Sequence, residues 1–251
     1  NFEQLPTRGP KVIEFSHRRN GELVTINTGS DPGGFRICEK CGMKVEPHRV
    51  PSGKSKSKAP SGHQTAFGEK GCFGTSGQFG LGHKFRSDTL HLRFHDFEGV
   101  TVPTASDVSF WRSLTYALLE GASIALQIER RDLDGLVSPF STGSADGSGE
   151  SFSQEIVLFD DVPGGAGHVL QITQKMKAVL MEARRIAECP DCEEDTSCQS
   201  CLRNYNNQIF WGELKRGKVA RFLESVITST FPEDLDHFAP GAARKVAADL
   251  P

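Results

Sequence analysis

No apolar run in the 251 residues approaches the length needed to cross a bilayer, so no transmembrane span is expected. An initiator methionine and a signal-peptide pattern are also missing. The chain begins Asn1-Phe2-Glu3 and reads as part of something larger. It has no Walker A loop, no DEAD/DEAH box, no paired HxK motif and no open three-ligand zinc pattern. These residues alone therefore build neither an ATPase nor a metallohydrolase, and no catalytic residue is assigned. A large net charge is absent too. At -3 overall, the chain does not bind polyanions by bulk charge. What remains is an ordinary water-compatible composition, 37% hydrophobic with a mean hydropathy of -0.38, long enough for one large domain or two modest ones.

The distribution of charge says more than its sum. From Arg36 to Arg93 there are 11 Lys/Arg against 4 Asp/Glu, and from Phe94 to Cys198 there are 7 against 18. From Gln199 to Arg221 the balance returns to 5 against 1. Both basic blocks coincide with cysteine-bearing regions. Such asymmetry focuses a phosphate backbone on one face, or else forms solvated surface.

The cysteines number 7, and the odd count with CxxC spacing argues for a reducing, cytoplasmic compartment and metal binding over disulfides. Cys189-Pro-Asp-Cys192 and Cys198-Gln-Ser-Cys201 place four thiolates within 13 residues, the pattern of a closed structural Zn²⁺ site. Redox CxxC chemistry needs one pair with an activated thiol, whereas two adjacent pairs suit a metal. A second zinc site is expected from the Cys38/Cys41 knuckle, where Gly42 lets the backbone turn, with Cys72 as third ligand. His63 is the best-placed fourth ligand, and His48 and His83 compete for that position. The stretch 47–61, basic and nearly devoid of apolar residues, is expected to be a disordered loop.

Along the chain, two short strand-like runs flank Arg19-Asn20-Gly21, a hairpin signal between Val12 and Thr28. Leu90, Leu92 and Phe94 alternate with His91 and Arg93, which predicts a half-buried strand. His91, His95 and Asp96 suggest a hydrolase only superficially, because no third ligand joins them at sensible spacing. Ser106-Asp107 caps a predicted long helix with Phe110, Trp111, Leu114, Leu118, Ala122 and Ala125 at helical spacing. Strands are expected around Ile128 and Leu136-Val137, then a Gly/Ser-rich loop from Ser141 to Ser151. Glu155 to Asp160 predicts a buried strand leading through a glycine turn into a helix from about Val169 to Ala187. That turn invites a phosphate-binding reading, but no Gly-Lys-Ser/Thr follows and Asp160 and Asp161 add negative charge, so a packing turn is the expectation. The segment from Leu202 to about Ile227 reads as helical. The fold class is thus α/β (α+β), a mixed sheet flanked by helices with two zinc-knuckle elements. Residues 1–95 form a β-rich zinc-binding region and residues 96–251 an α/β domain.

Leu158-Phe159-Asp160-Asp161-Val162-Pro163-Gly164-Gly165-Ala166-Gly167-His168, the four C-terminal cysteines, and then Cys201-Leu202-Arg203-Asn204-Tyr205-Asn206-Asn207 carry a resemblance. In this order they resemble the MrfA-type zinc-binding domain at the C-terminal end of superfamily 2 DEAD/DEAH-box DNA helicases, including the DrmB-like phage-defence (DISARM) branch. The resemblance covers roughly Ser106 to Leu223. Upstream, Cys38/Cys41, His63, Cys72 and the run Leu81 to Asp88 are similar to what precedes the domain in the defence branch. It implies that Cys189, Cys192, Cys198 and Cys201 bind a structural zinc and that Gly164, Gly165 and Gly167 form the family turn. It also implies a prokaryotic cytoplasmic protein that packs on a helicase core and helps hold or separate strands. Where members often carry a histidine and then Leu-Asp-Arg, this chain has Trp211 and Leu214-Lys215-Arg216, and Lys215 favours a phosphate contact.

Two functional readings follow. In the first, the chain is the accessory module of an ATP-dependent DNA helicase in repair or phage defence. It contacts single-stranded or junction DNA through Arg203, Asn207, Lys215, Arg216, Lys84 and Arg86, by salt-sensitive phosphate contacts. In the second, it is a docking module that binds a helicase motor, in the same chain or in a partner subunit, without touching DNA.

Overall fold

Alternation of apolar and polar residues builds strands with one face to the core, and the computed structural model describes residues 2–4, 12–27, 34–45, 62–65, 68–97, 100–142 and 152–231. The expectations for 47–61, for His48, and for 143–151 of the Gly/Ser-rich stretch lie outside the described residues. Two compact units emerge, one of residues 22–85 and one of residues 1–21 with 86–251. The division falls inside two long strands, with residues 13–20 and 86–94 tied into the sheet of the larger unit.

That sheet has the order β1-β2-β7-β9-β8. Its strands are β1 (Glu3–Gln4), β2 (Ile13–Asn27), β7 (Leu81–Phe94), β8 (Leu133–Ser141) and β9 (Phe152–Asp160). Between β2 and β7 come β3 (Phe35–Cys38), β4 (His63–Thr65), β5 (Gly68–Cys72) and β6 (Ser76–Phe79), which pair as β3-β6 and β4-β5 in the smaller unit. The β1-β2, β7-β9 and β8-β9 pairings are all antiparallel. The predicted strands over 90–94 and 155–160 are both present. Leu90, Leu92, Phe94, Ile156 and Leu158 are buried, and His91, Arg93 and Glu155 take the opposite face.

Helix α1 (Val108–Leu126) begins where predicted, with the Asp107 carboxylate accepting from the Phe110 amide at 3.1 Å. It buries Phe110, Trp111, Leu114, Leu118 and Ala122 and packs on β8, β9, α3 (Met176–Ala187) and α4 (Arg216–Thr230). Gly121 makes the α1–α3 crossing possible, since a Cβ there would lie 2.5 Å from the Ala183 nitrogen.

Four local readings need correction. Arg19-Asn20-Gly21 is no hairpin turn, because β2 runs straight through it. Asn20 adopts a left-handed φ of 54°, and its N–H donates to the Asp88 carboxylate at 3.2 Å. Gly21 leaves room for the Thr89 side chain, 2.7 Å from where a Cβ would sit. The helix expected over 169–187 is broken at Lys175 into α2 (His168–Gln174) and α3. The helix expected from Leu202 is a 3-10 turn (Tyr205–Phe210) followed by α4, because the Asn204/Asn207 capping box closes the chain into a tight turn first. Ile128 lies in the connection before β8, not in a strand.

Candidate metal centres

The N-terminal knuckle forms because β3 ends at Cys38 and turns back through Gly42, whose φ is 71°. The Gly42 amide donates to the Cys38 carbonyl at 2.8 Å, and the Cys38 amide to the Met43 carbonyl at 2.9 Å. Across β4-β5, His63 faces Cys72 in register. The result is one cluster of Cys38, Cys41, His63 and Cys72. Within it the Cys38 and Cys72 sulfurs lie 3.8 Å apart, and His63 Nε2 lies 3.0 Å from Cys41 Sγ. His63 is therefore the histidine of the set, while His83 stacks against Phe85. Gly74 is a fifth participant that the spacing did not reveal: a Cβ there would sit 2.8 Å from Cys38 Sγ, and its amide points at Cys72 Sγ. Burial opposes ionisation of Cys38, but the amides of Cys41 and Lys40 outweigh it and hold the thiol below its ordinary value.

The C-terminal cluster follows directly from the end of α3. Cys189–Cys198, Cys192–Cys201 and Cys198–Cys201 sulfur distances are 3.7, 3.8 and 3.8 Å. A tetrahedron with Zn–S of about 2.3 Å has edges of about 3.8 Å, so this donor set fits zinc as it stands. The Cys198 amide donates to Cys201 Sγ at 3.2 Å. Burial pushes the Cys201 thiol up to about 12 and also raises Cys189. Cys198 is held low, because burial is outweighed by the Ser200 amide and the neighbouring thiols. A metal that takes all four as thiolates must therefore displace protons from the buried ones.

The glycine turn turns out to hold its own anion. Asp160, fully buried at the end of β9, accepts from the amides of Ala166, Gly167, His168 and Val169 at 2.6, 2.6, 3.2 and 3.0 Å. The start of α2 is thus already occupied by a carboxylate, which explains why a phosphate-like motif lies beside two aspartates. Gly164, Gly165 and Gly167 all take positive φ, as the turn requires. Gly165 also makes way for the Asp88 side chain, 2.7 Å from its would-be Cβ.

The basic residues fare unevenly. Asn207, expected at DNA, is completely buried: its amide donates to the Leu202 carbonyl at 2.7 Å and its oxygen accepts from Asn204 and Trp211. It is a structural residue, because no face of it remains for a phosphate. Arg203 donates to Ser197 and Thr196 side chains at 3.1 and 3.0 Å. Arg216 donates to the carbonyls of Cys192 and Ala187. Both arginines face the zinc loop. Lys215 is exposed, and Lys218 and Arg221, three and six residues on, are 61% and 66% exposed. Helical spacing from Lys215 was the signal that could have found them. In the smaller unit Lys84 pairs with Glu22 at 2.8 Å. Arg86 is exposed on β7, and its carbonyl accepts from Gly164. His91 and Arg93 both bond Glu155, His95 lies beside Glu14, and Asp96 caps the Val102 amide, so these groups form no metal set.

Residues 114–202 match the family model of the MrfA Zn-binding domain. The chain is 26% identical over 236 residues to the Druantia protein DruE of Escherichia coli (strain UMEA 4076-1), covering 89% of this chain and 12% of DruE. Among solved structures, the DUF1998 helicase MrfA bound to DNA aligns with a TM-score of 0.48 at 12% identity, over 90% of this chain and 23% of that one. MrfA in a second crystal structure aligns with a TM-score of 0.36 at 11% identity, over 90% of this chain and 24% of that one. The chain therefore spans a small part of the length of the proteins it matches. No helix among the described residues is long and apolar enough to cross a membrane. The stretch from the middle of α1 through β8, β9 and the glycine turn to Cys201 is thus similar to the MrfA-type zinc-binding domain, and both sulfur-rich clusters are zinc sites.

Proposed function

We propose that this chain is a helicase-associated accessory module that holds DNA beside an ATP-dependent motor, in repair or phage defence. The observation that carries this reading is the match of residues 114–202 to the MrfA Zn-binding domain, which includes the complete four-cysteine cluster. The similarity to DruE over 89% of the chain supports an association with a much longer protein. The DNA-facing residues are Lys215, Lys218 and Arg221, one row on the exposed side of α4 and the turn before it. Lys218 and Arg221 are paired with Asp107 and Glu194. Exposed pairs of this kind are worth only about 0–1 kcal/mol and can exchange for phosphate. Lys84 and Arg86 on β7 supply further contacts. Fluorescence anisotropy with labelled single-stranded, double-stranded and forked DNA across a salt series tests the reading. Affinity should fall steeply with salt, and changing Lys215, Lys218 and Arg221 together to Ala should reduce the log–log slope by about 3.

A second reading, docking of a helicase subunit without DNA contact, is favoured by a different observation. A groove of about 380 Å³ between α1 and β8 is lined by Val108, Tyr116, Leu136, Val137 and Phe210, and in the same unit Tyr205 and Ile209 stand 85% and 82% exposed. Aromatic and aliphatic side chains left exposed are typical anchors of protein interfaces. Absence of DNA binding even at low salt, together with loss of subunit capture in Tyr205→Ala/Ile209→Ala, would decide for it.

A further inference from the structure

The first turn of α4 is chemically odd. Helix N-termini favour carboxylates, yet this one has no acidic residue in its first turn and carries Lys215, Arg216 and Lys218. Its leading amides are already used: Arg216 N–H donates to the Thr196 carbonyl at 3.1 Å and Gly217 N–H to the Glu194 carbonyl at 2.8 Å. Both acceptors belong to the loop between the two cysteine pairs. Gly217 has no room for a side chain, since a Cβ would lie 2.6 Å from Glu194 Cβ. The Arg216 guanidinium completes the clasp. Its Nε and Nη2 both donate to the carbonyl of Cys192, a metal ligand, and its Nη1 donates at 3.2 Å to Ala187, the last residue of α3.

The charge balance explains why a cation belongs there. Four thiolates around one Zn²⁺ leave a formal charge of about -2 in a partly buried site. The loop adds Asp191, Glu193, Glu194 and Asp195. Arg203 is bonded to the Ser197 and Thr196 side chains, whereas Arg216 is fixed to the carbonyl of a ligand residue itself.

We propose that Arg216 is the outer-sphere counter-ion and clamp of the C-terminal zinc, a positioning residue for metal retention and not a DNA contact. The guanidinium fixes the Cys192 peptide, holds that sulfur on the metal and offsets the charge of the thiolate cluster. The rest of the clasp, through the Arg216 and Gly217 amides, makes the order of the first turn of α4 depend on zinc. This inference is independent of whether DNA is bound.

The test uses the full chain loaded with ¹¹³Cd²⁺, in which the four-sulfur and the three-sulfur, one-nitrogen sites give separate NMR resonances. Decay of each resonance after addition of EDTA reports retention site by site for wild type, Arg216→Lys and Arg216→Gln. Lys keeps the charge but loses the bidentate fork, whereas Gln loses the charge. Partners of metal ligands typically change metal affinity by about 10–100-fold. Arg216→Gln should release metal from the four-cysteine site at least about tenfold faster, Arg216→Lys should fall between it and wild type, and the other resonance should decay at its wild-type rate. Should Arg216→Gln fail to fold, Arg216→Lys decides alone: faster release confined to the four-cysteine resonance supports the clamp, and an unchanged rate overturns it. Equal acceleration at both sites also overturns it, because that would be general loosening.

Discussion

Asp160 is the residue whose chemistry departs furthest from its sequence signature. A strand ending in two aspartates before a glycine turn and a helix resembles an anion-binding loop, and it is one, with the anion built in. Four amides converge on the one carboxylate. Asp160→Asn puts an NH2 group against N–H donors; one carboxylate oxygen accepts from three amides and the other from Val169 alone, so at least one buried amide is left without an acceptor. At about 1–3 kcal/mol per unsatisfied buried group, the loss should be about 1–3 kcal/mol in urea unfolding of the zinc-loaded chain. A change below about 0.5 kcal/mol would mean that the turn does not depend on this carboxylate. The metal ligands were legible in the sequence because their information is local: CxxC spacing fixes two sulfurs at a time, and His63 needed only to face Cys72. The roles of Asn207, Arg203 and Arg216 were not legible, because a cation or amide after a cysteine pair looks the same whether it turns outward to phosphate or inward to a carbonyl.

At the scale of elements, local periodicity found α1, β7 and β9, whose apolar residues recur at the period of the element they form. It failed where a single residue changes the path of the chain. Asn20 in the left-handed region resembles a hairpin turn from the sequence, but a long partner strand keeps β2 extended through it. Lys175 carries no sequence signature of a break, yet α2 and α3 are separate because the chain bends there to lay α3 against α1. That α1–α3 contact depends on Gly121, which a helical reading alone would treat as a weak point. Replacing glycine by alanine gains up to about 1 kcal/mol of helix propensity. Against this, the new Cβ would lie 2.5 Å from the Ala183 nitrogen and 2.6 Å from the Val179 carbonyl, backbone atoms that cannot swing away. Overpacking of this kind costs about 1–3 kcal/mol, so Gly121→Ala should lower the thermal midpoint of the larger unit by several degrees. An unchanged or raised midpoint in calorimetry would show that the helices can separate at no net cost.

For the molecule as a whole, the two zinc sites carry unequal structural burdens. The larger unit owns the hydrophobic core, with α1, α3 and α4 packed against β8 and β9 and some three dozen apolar side chains removed from water. Among the described residues of the smaller unit, the buried apolar side chains are Leu23, Cys38 and Cys72, and two of those three are metal ligands. Paired strands without a core are marginal in water, so the metal must supply what burial does not. Stripping zinc with EDTA at neutral pH should therefore separate the units in hydrogen exchange. Amides of β3, β4, β5 and β6 should lose protection almost completely, while those at the centres of α1 and β9 stay protected. The sign of the pH effect follows from the ligands: zinc needs thiolates, so acid drives it off, and lowering the pH should reproduce the EDTA pattern. Restoring zinc at neutral pH should restore protection in the small unit first to wild-type values. If EDTA leaves β3–β6 protected, the smaller unit is held by something other than its metal, and the pairing of Cys38, Cys41, His63 and Cys72 is a consequence of that fold instead of its cause.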